Sequence, residues 1–193
     1  MRFSYKELKR LASLPEKVTI EEVAKAINSI GFEVEATFPF GDVEGIKFGK
    51  VLEVSKNPHG DKLNVCKIEF DDKTRIIQST ATNVVPGKVI IAFVPGSRAG
   101  GITFGEKKMK EIVSEGMLSS LTELGVSKDL VRDSYQEGIM FYDEVKDLSL
   151  DPVDYLDLQD TIIDVDILSN RSDAQSYYVM ARELAAYFKT DFQ

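Results

Sequence analysis

Asn57-Pro58-His59-Gly60-Asp61-Lys62-Leu63-Asn64-Val65-Cys66-Lys67-Ile68 opens the stretch whose reading decides the fold, and Val113-Ser114-Glu115-Gly116-Met117-Leu118-Ser119-Ser120-Leu121-Thr122-Glu123-Leu124-Gly125 closes it. The first five residues spell a turn. Pro58 fixes φ, Gly60 permits positive φ, and Asn57 and Asp61 can bond their own backbone. Strands belong on either side. Upstream, Ile46, Phe48, Leu52 and Val54 share one parity, and Lys47 and Glu53 the other. Downstream, Cys66, Ile68 and Phe70 alternate with Lys67 and Glu69. This period of two marks half-buried strands. Asp71-Asp72-Lys73 turns the chain into a strand over 74–79, and Val84-Val85-Pro86-Gly87-Lys88 turns it into another over 89–94. Short strands separated by turns predict a small barrel.

Beyond the barrel's fourth strand, Lys107, Lys108 and Lys110 form the one close basic cluster and read as a solvated loop. Residues 114–125 read as a short helix, with Met117, Leu118, Leu121 and Leu124 on one side and Gly125 as its stop. Residues 138–142 read as a closing strand.

Working outward toward the start, Ser4-x-x-Glu7 is a capping-box pattern before Leu8, Leu11 and Leu14, a helix that ends ahead of Pro15. Thr19-x-x-Glu22 opens a second helix with Ile20, Val23, Ala24 and Ile27 on its apolar face and Gly31 past its end. Residues 32–36 alternate as a strand. Phe38-Pro39-Phe40-Gly41 marks a boundary. After Asp151-Pro152 comes a strand over 162–167, and Ser172-x-x-Gln175 caps a helix with Tyr177, Ala181, Leu184 and Phe188 on one face. Neither flank is large enough to bury a core alone. They read as halves of one discontinuous α/β domain, residues 1–39 plus 151–193, with residues 40–150 inserted between two neighbouring strands.

Composition bounds the function. The 193 residues are 43% hydrophobic, enough for a core, and carry a net charge of −8. Such acidity opposes broad attraction to nucleic acid. Residues 40–150, however, hold 15 basic and 17 acidic side chains, whereas 151–193 hold 3 and 9, so the excess lies mainly outside the inserted region. One cysteine excludes an internal disulfide and a Cys-rich zinc site, and one histidine excludes a His-based metal cluster and a Ser-His-Asp arrangement. The acidic series Asp157, Asp160, Asp164 and Asp166 lacks the spacing of a calcium loop, and Gly96 to Gly101 is no phosphate-binding loop. No apolar run reaches eighteen residues and the start lacks the apolar segment of a signal peptide, so the expected compartment is cytoplasmic.

Four motifs in order carry a family resemblance. Asn57 to Leu63 resembles His-Pro-Asn-Ala-Asp-Lys-Leu, keeping Pro58, Asp61, Lys62 and Leu63 and differing at Asn57, His59 and Gly60. Thr80-Ala81-Thr82-Asn83-Val84 with Pro86-Gly87, then Pro95-Gly96-Ser97, then Lys108 to Met117 complete the series. Together they resemble the tRNA-binding OB-fold module of the phenylalanine tRNA synthetase beta subunit, methionyl tRNA synthetase tails and free tRNA-binding proteins. Both flanks sharpen this. Phe3-Ser4-Tyr5 with Leu8, the run Ile30 to Glu35, Asn170-Arg171-Ser172-Asp173 and Ala181-Arg182-Glu183 resemble the segments that surround the module in the bacterial-type beta subunit.

The resemblance implies an α+β chain with a five-stranded OB-fold barrel inserted into the discontinuous α/β domain, and a fragment of a longer subunit. It implies tRNA as a partner and an alpha subunit as another, in a complex of two alpha and two beta chains. The whole enzyme would use ATP and Mg²⁺ to attach phenylalanine to its tRNA, with no catalytic residue, metal or cofactor in this part. Asn57, His59, Lys62, Thr82, Asn83, Ser114 and Met117 are the expected RNA contacts, Lys62, Thr82, Asn83, Ser114 and Met117 by the same likeness and Asn57 and His59 from the turn that departs from the motif. Each has a plainer role beside it: His59 a solvated turn residue, Lys62 a loop ion pair with Asp61, Asn83 a turn stabiliser, Ser114 a helix cap and Met117 a core filler. Cys66 reads as a small buried apolar residue. Two rivals stand beside the synthetase reading: a stand-alone tRNA-binding protein, and a protein-interaction module with no RNA contact.

Overall fold

A computed structural model describes residues 1–136 and 138–193. In chain order the elements are β1 (Arg2–Ser4), α1 (Tyr5–Leu11), α2 (Ile20–Ser29), β2 (Glu33–Phe40), β3 (Val43–Asn57), β4 (Gly60–Glu69), β5 (Thr74–Ser79) and β6 (Val89–Ala99). There follow β7 (Ile102–Thr103), β8 (Lys107–Met109), β9 (Ile112–Ser114), β10 (Met117–Leu118), α3 (Asp133–Gln136), α4 (Pro152–Tyr155), β11 (Asp160–Asp166) and α5 (Tyr177–Phe188). The chain divides into two units, Met1–Phe40 with Asp160–Gln193, and Gly41–Gln159. The second boundary differs from the expected 150/151. Residues 151–159 fall in the inner unit because α4 packs on β3 and Tyr155 meets Phe48 edge to face at 5.4 Å.

The split unit is an antiparallel sheet in the order β1-β11-β2, with α1, α2 and α5 packed on one face. Phe3 stands opposite Ile163 and both are fully buried, together with Leu8, Val23, Ile27, Met180, Ala181 and Leu184. Arg2 and Asp164, the neighbouring pair, point the other way and form an ion pair at 3.1 Å, as the period of two requires. Both helix starts behave as their sequence dictates. Thr19 and Glu22 make a complete capping box. Ser4 accepts from Glu7 N–H, but Glu7 turns its carboxylate to Arg10, so only half of that box forms. The α5 cap is a correction: residues 169–175 are a 3-10 segment, and α5 begins after Ser176 with no side-chain cap. Arg171 there pairs with Asp173 and Glu183 and lies over the Phe32 ring.

The inner unit is a mostly antiparallel sheet in the order β10-β6-β3-β4-β5, with β7 on the end of β6. Long, bent β3 pairs first with β6 through Val43–Lys50 and then with β4 through Lys50–Asn57, with register shifts along it. Cys66, Ile68, Ile77, Ile90 and Ala92 fill its interior. Burial pushes the Cys66 thiol up to about 11, so it serves as packing rather than as a nucleophile.

Among the described residues no ladder closes the five strands into a barrel, so the closed barrel is not confirmed, and two further expectations fail. The β5 edge is instead joined to the end of β9 and the residues leading into β10 by Glu115 N–H to Ile76 O at 2.8 Å, Ile76 N–H to the Glu115 carboxylate at 3.1 Å and Gln78 N–H to Ser114 Oγ at 2.9 Å. The helix expected over 114–125 is not formed. Gly116 has φ +129° and a Cβ there would sit 2.2 Å from Phe93 O, so the chain hugs β6 as β10 and only Thr122–Leu124 makes a 3-10 turn. Described residues 138–142 form no strand. Tyr142 N–H merely bonds Val89 O at 2.8 Å.

Candidate nucleic-acid interface

The site grows from the turn between β3 and β4. Asn57 Oδ1 accepts from His59 N–H at 2.7 Å, the local bond that an Asn at a turn start is suited to make. Its amide nitrogen is not presented to solvent. Asn57 is 4% exposed and donates to Gln78 Oε1 at 2.6 Å and to Lys110 O at 3.3 Å. Gln78, 3% exposed on β5, donates in turn to Met109 O at 2.8 Å and Ile112 O at 2.9 Å. Two buried amides therefore grip the β8–β9 hairpin.

That hairpin needs gripping. Met109 pairs with Ile112, so Lys110 and Glu111 form a two-residue turn, and their φ values are +46° and +67°. Two-residue turns of this hand favour Asn-Gly. A residue with a Cβ pays about 1–2 kcal/mol for this conformation. The basic cluster read as a loop is thus a hairpin, with Lys107, Lys108 and Lys110 exposed and Lys108 paired to Glu111 at 2.9 Å.

Beside the hairpin lies a cleft of about 430 Å³, lined by Leu63, Met109, Met117 and Leu118 and by the polar groups of Ser79, Thr80 and Ser120. Glu123 is its one carboxylate among the described residues, held by Ser120 N–H at 2.7 Å and Ser120 Oγ at 2.9 Å. Glu115 is held under the usual carboxylate range, first by Lys73 and then by the Ile76 N–H.

The expected contacts separate into two groups. His59, Lys62 and Thr82 are exposed, and Met117 is half-buried on the cleft wall. Asn57, Ser114 and Asn83 are committed inward. Ser114, 1% exposed, accepts from Gln78 N–H and donates to Gly116 O at 2.9 Å. Asn83 bonds Ile139 O at 2.7 Å and accepts from Ile139 N–H at 3.1 Å. The side chain of Asp61 lies outside the described residues. Gln78, Met109 and Lys110 were missed because a Gln ending a strand, or a Met and a Lys in a basic run, reads as solvated surface. Only the buried register of β5 against β9 reveals them.

Comparison with known proteins places this geometry. Residues 46–139 match the family described as "Putative tRNA binding domain". The chain is 51% identical, over 98% of its length, to the phenylalanine-tRNA ligase beta subunit of Mycoplasmopsis pulmonis, and covers 26% of that protein. It is 45% identical over its full length to the same subunit of Mesomycoplasma hyopneumoniae, covering 27% of it, and 50% identical over 98% to that of Mycoplasma mobile, covering 26%. The chain thus spans about a quarter of the length of these curated relatives. Along nearly its whole length the chain is similar to phenylalanine-tRNA ligase beta subunits, and residues 46–139 match the tRNA-binding family.

Proposed function

We propose that residues 41–159 bind tRNA through the cleft beside the β8–β9 hairpin, and that the chain contributes this binding and subunit assembly to the ligation of phenylalanine to its tRNA. The supporting observation is one coincidence: the stretch matching the tRNA-binding family contains a cleft with thioether and leucine walls, hydroxyls at its edge and exposed lysines on the adjoining segments. Met117 and Met109 suit an adaptable contact with base faces, Ser79 and Thr80 suit base edges, and Lys62 suits phosphate. In this reading the sheet, bridged at its two edges by Ser114 and Glu115, works as a five-stranded OB-type barrel. His59, Lys62, Thr82 and Met117 touch RNA, while Asn57, Asn83 and Ser114 shape the surface that does.

ATP and Mg²⁺ would serve the whole enzyme, with an alpha subunit as partner, two of each chain, in the cytoplasm. Among the described residues no group of three or more His, Cys, Asp or Glu could hold a metal ion, so no step through Mg²⁺ is assigned to this chain. No helix among the described residues is long and apolar enough to cross a membrane. The net charge of −8 favours a second reading, a protein-interaction module that ignores RNA.

Titrating tRNA into the chain at two salt concentrations, beside a pull-down with the alpha subunit, decides between them. Salt-sensitive tRNA binding together with capture of the alpha subunit is the expected result. RNA binding alone favours a stand-alone binder, and capture alone sinks the RNA role.

A further inference from the structure

We infer that the β8–β9 hairpin is a phosphate-gripping arm of the cleft, with Lys110 as the residue that meets the RNA backbone and Asn57 and Gln78 as the residues that position it. The inference rests on the tRNA-binding reading above and adds to it a contact and a mechanism of placement.

Three observations converge on Lys110. Its backbone adopts a left-handed conformation that a glycine or asparagine would take with less strain, and so does that of Glu111. Strain retained at an exposed turn calls for a compensating use of the side chain held there. The compensation is visible: the carbonyls of Met109, Lys110 and Ile112 are each held by the buried amide of Asn57 or Gln78, and those two amides are bonded to each other. An isolated two-stranded hairpin has little stability of its own, so these bonds from β3 and β5 set where the arm lies.

The side chain then has a defined course. Lys110 Cγ lies 3.3 Å and Leu63 Cδ1 3.2 Å from where a Cβ on Gly60 would stand, so the Lys110 stem packs against the β3–β4 turn beside Leu63 of the cleft wall. Among the described residues no carboxylate pairs with Lys110, whereas its neighbour Lys108 is paired to Glu111. An ammonium with no carboxylate partner among the described residues, beside a cleft with apolar walls, suits the phosphate of a nucleotide whose base enters that cleft.

The test is tRNA affinity against salt, with thermal melts, on the 193-residue chain and four variants. Lys110→Gln should weaken binding several-fold near 0.1 M salt and reduce the log–log salt slope by about 0.7–0.9, one phosphate's share. Lys110→Asn combined with Glu111→Gly should raise the melting temperature while producing the same loss of slope, a split that a merely structural role would not give. Gln78→Leu should lose the same slope, with Lys108→Gln losing less. A wild-type slope retained in Lys110→Gln overturns the inference and leaves the tRNA reading standing. Absence of tRNA binding by the wild-type chain overturns both.

Discussion

The two units of this chain solve the same problem by different means. Among the described residues, every buried polar or charged side chain lies in the inner unit: Asn57, Asn64, Arg75, Gln78, Ser97, Ser114 and Ser119. The split unit has an interior that is apolar throughout, helices on one face of a three-stranded sheet, with its polar groups spent on caps and exposed ion pairs. The difference follows from backbone geometry. Regular helices and ladders satisfy their own N–H and C=O groups, whereas a bent sheet with short hairpins and irregular connections leaves many of them to side chains. Where the backbone is irregular, polar side chains must go inside with it, as they do beneath the β8–β9 hairpin.

If this division is right, the largest effect on stability comes from the apolar unit. Ile163→Ala removes a fully buried side chain facing Phe3 and should cost about 4 kcal/mol in a urea melt. In the inner unit, Gln78→Leu keeps similar bulk and adds apolar surface, yet should cost about 2–3 kcal/mol because Asn57 and two carbonyls lose their partner inside the protein. A loss under about 1 kcal/mol there would break the comparison, since it would mean that apolar packing dominates both units.

The smallest effect sharpens it at the seam between β5 and β10. The Glu115 carboxyl is held below its ordinary value of 4.5, chiefly by Lys73 and the Ile76 N–H, so in the folded state it stays ionised at a pH where the unfolded chain has begun to take up its proton. Its stabilisation is therefore complete above that range and is lost as pH falls through the folded value. Melts from pH 6 to 3 should show a shallower acid limb for Glu115→Gln than for the wild type, a difference of about 1 kcal/mol or less.

The same division explains what could be read from residues alone. Thr19 with Glu22, the Val23 and Ile27 face, and the alternation around Ile163 follow periods that local physics sets, so the elements of the split unit were legible. Residues 114–125 were not. Met117, Leu118, Leu121 and Leu124 satisfy helical spacing, but the contact of Gly116 with Phe93 O is a long-range fact that no local window contains. Of the cleft, Met117 was visible through family likeness, as were the exposed Lys62 and Thr82, whereas His59 was picked out by its turn. Asn57 and Ser114 were picked out by position, but the structure gives them inward bonds, and their shared partner Gln78 carries no local signal at all.

The pairing of β2 with β11, Phe40 opposite Asp160, has a consequence for synthesis on the ribosome. A nascent chain that has emerged only through α2 and β2 has no strand to complete its sheet, and it waits exposed until everything between has been translated. The inner unit shortens that wait in space though not in time. A Cβ on Gly41 would stand 3.1 Å from Leu158 Cβ, so in the folded inner unit the entry and exit of the chain lie side by side, and closing the loop between β2 and β11 costs little entropy.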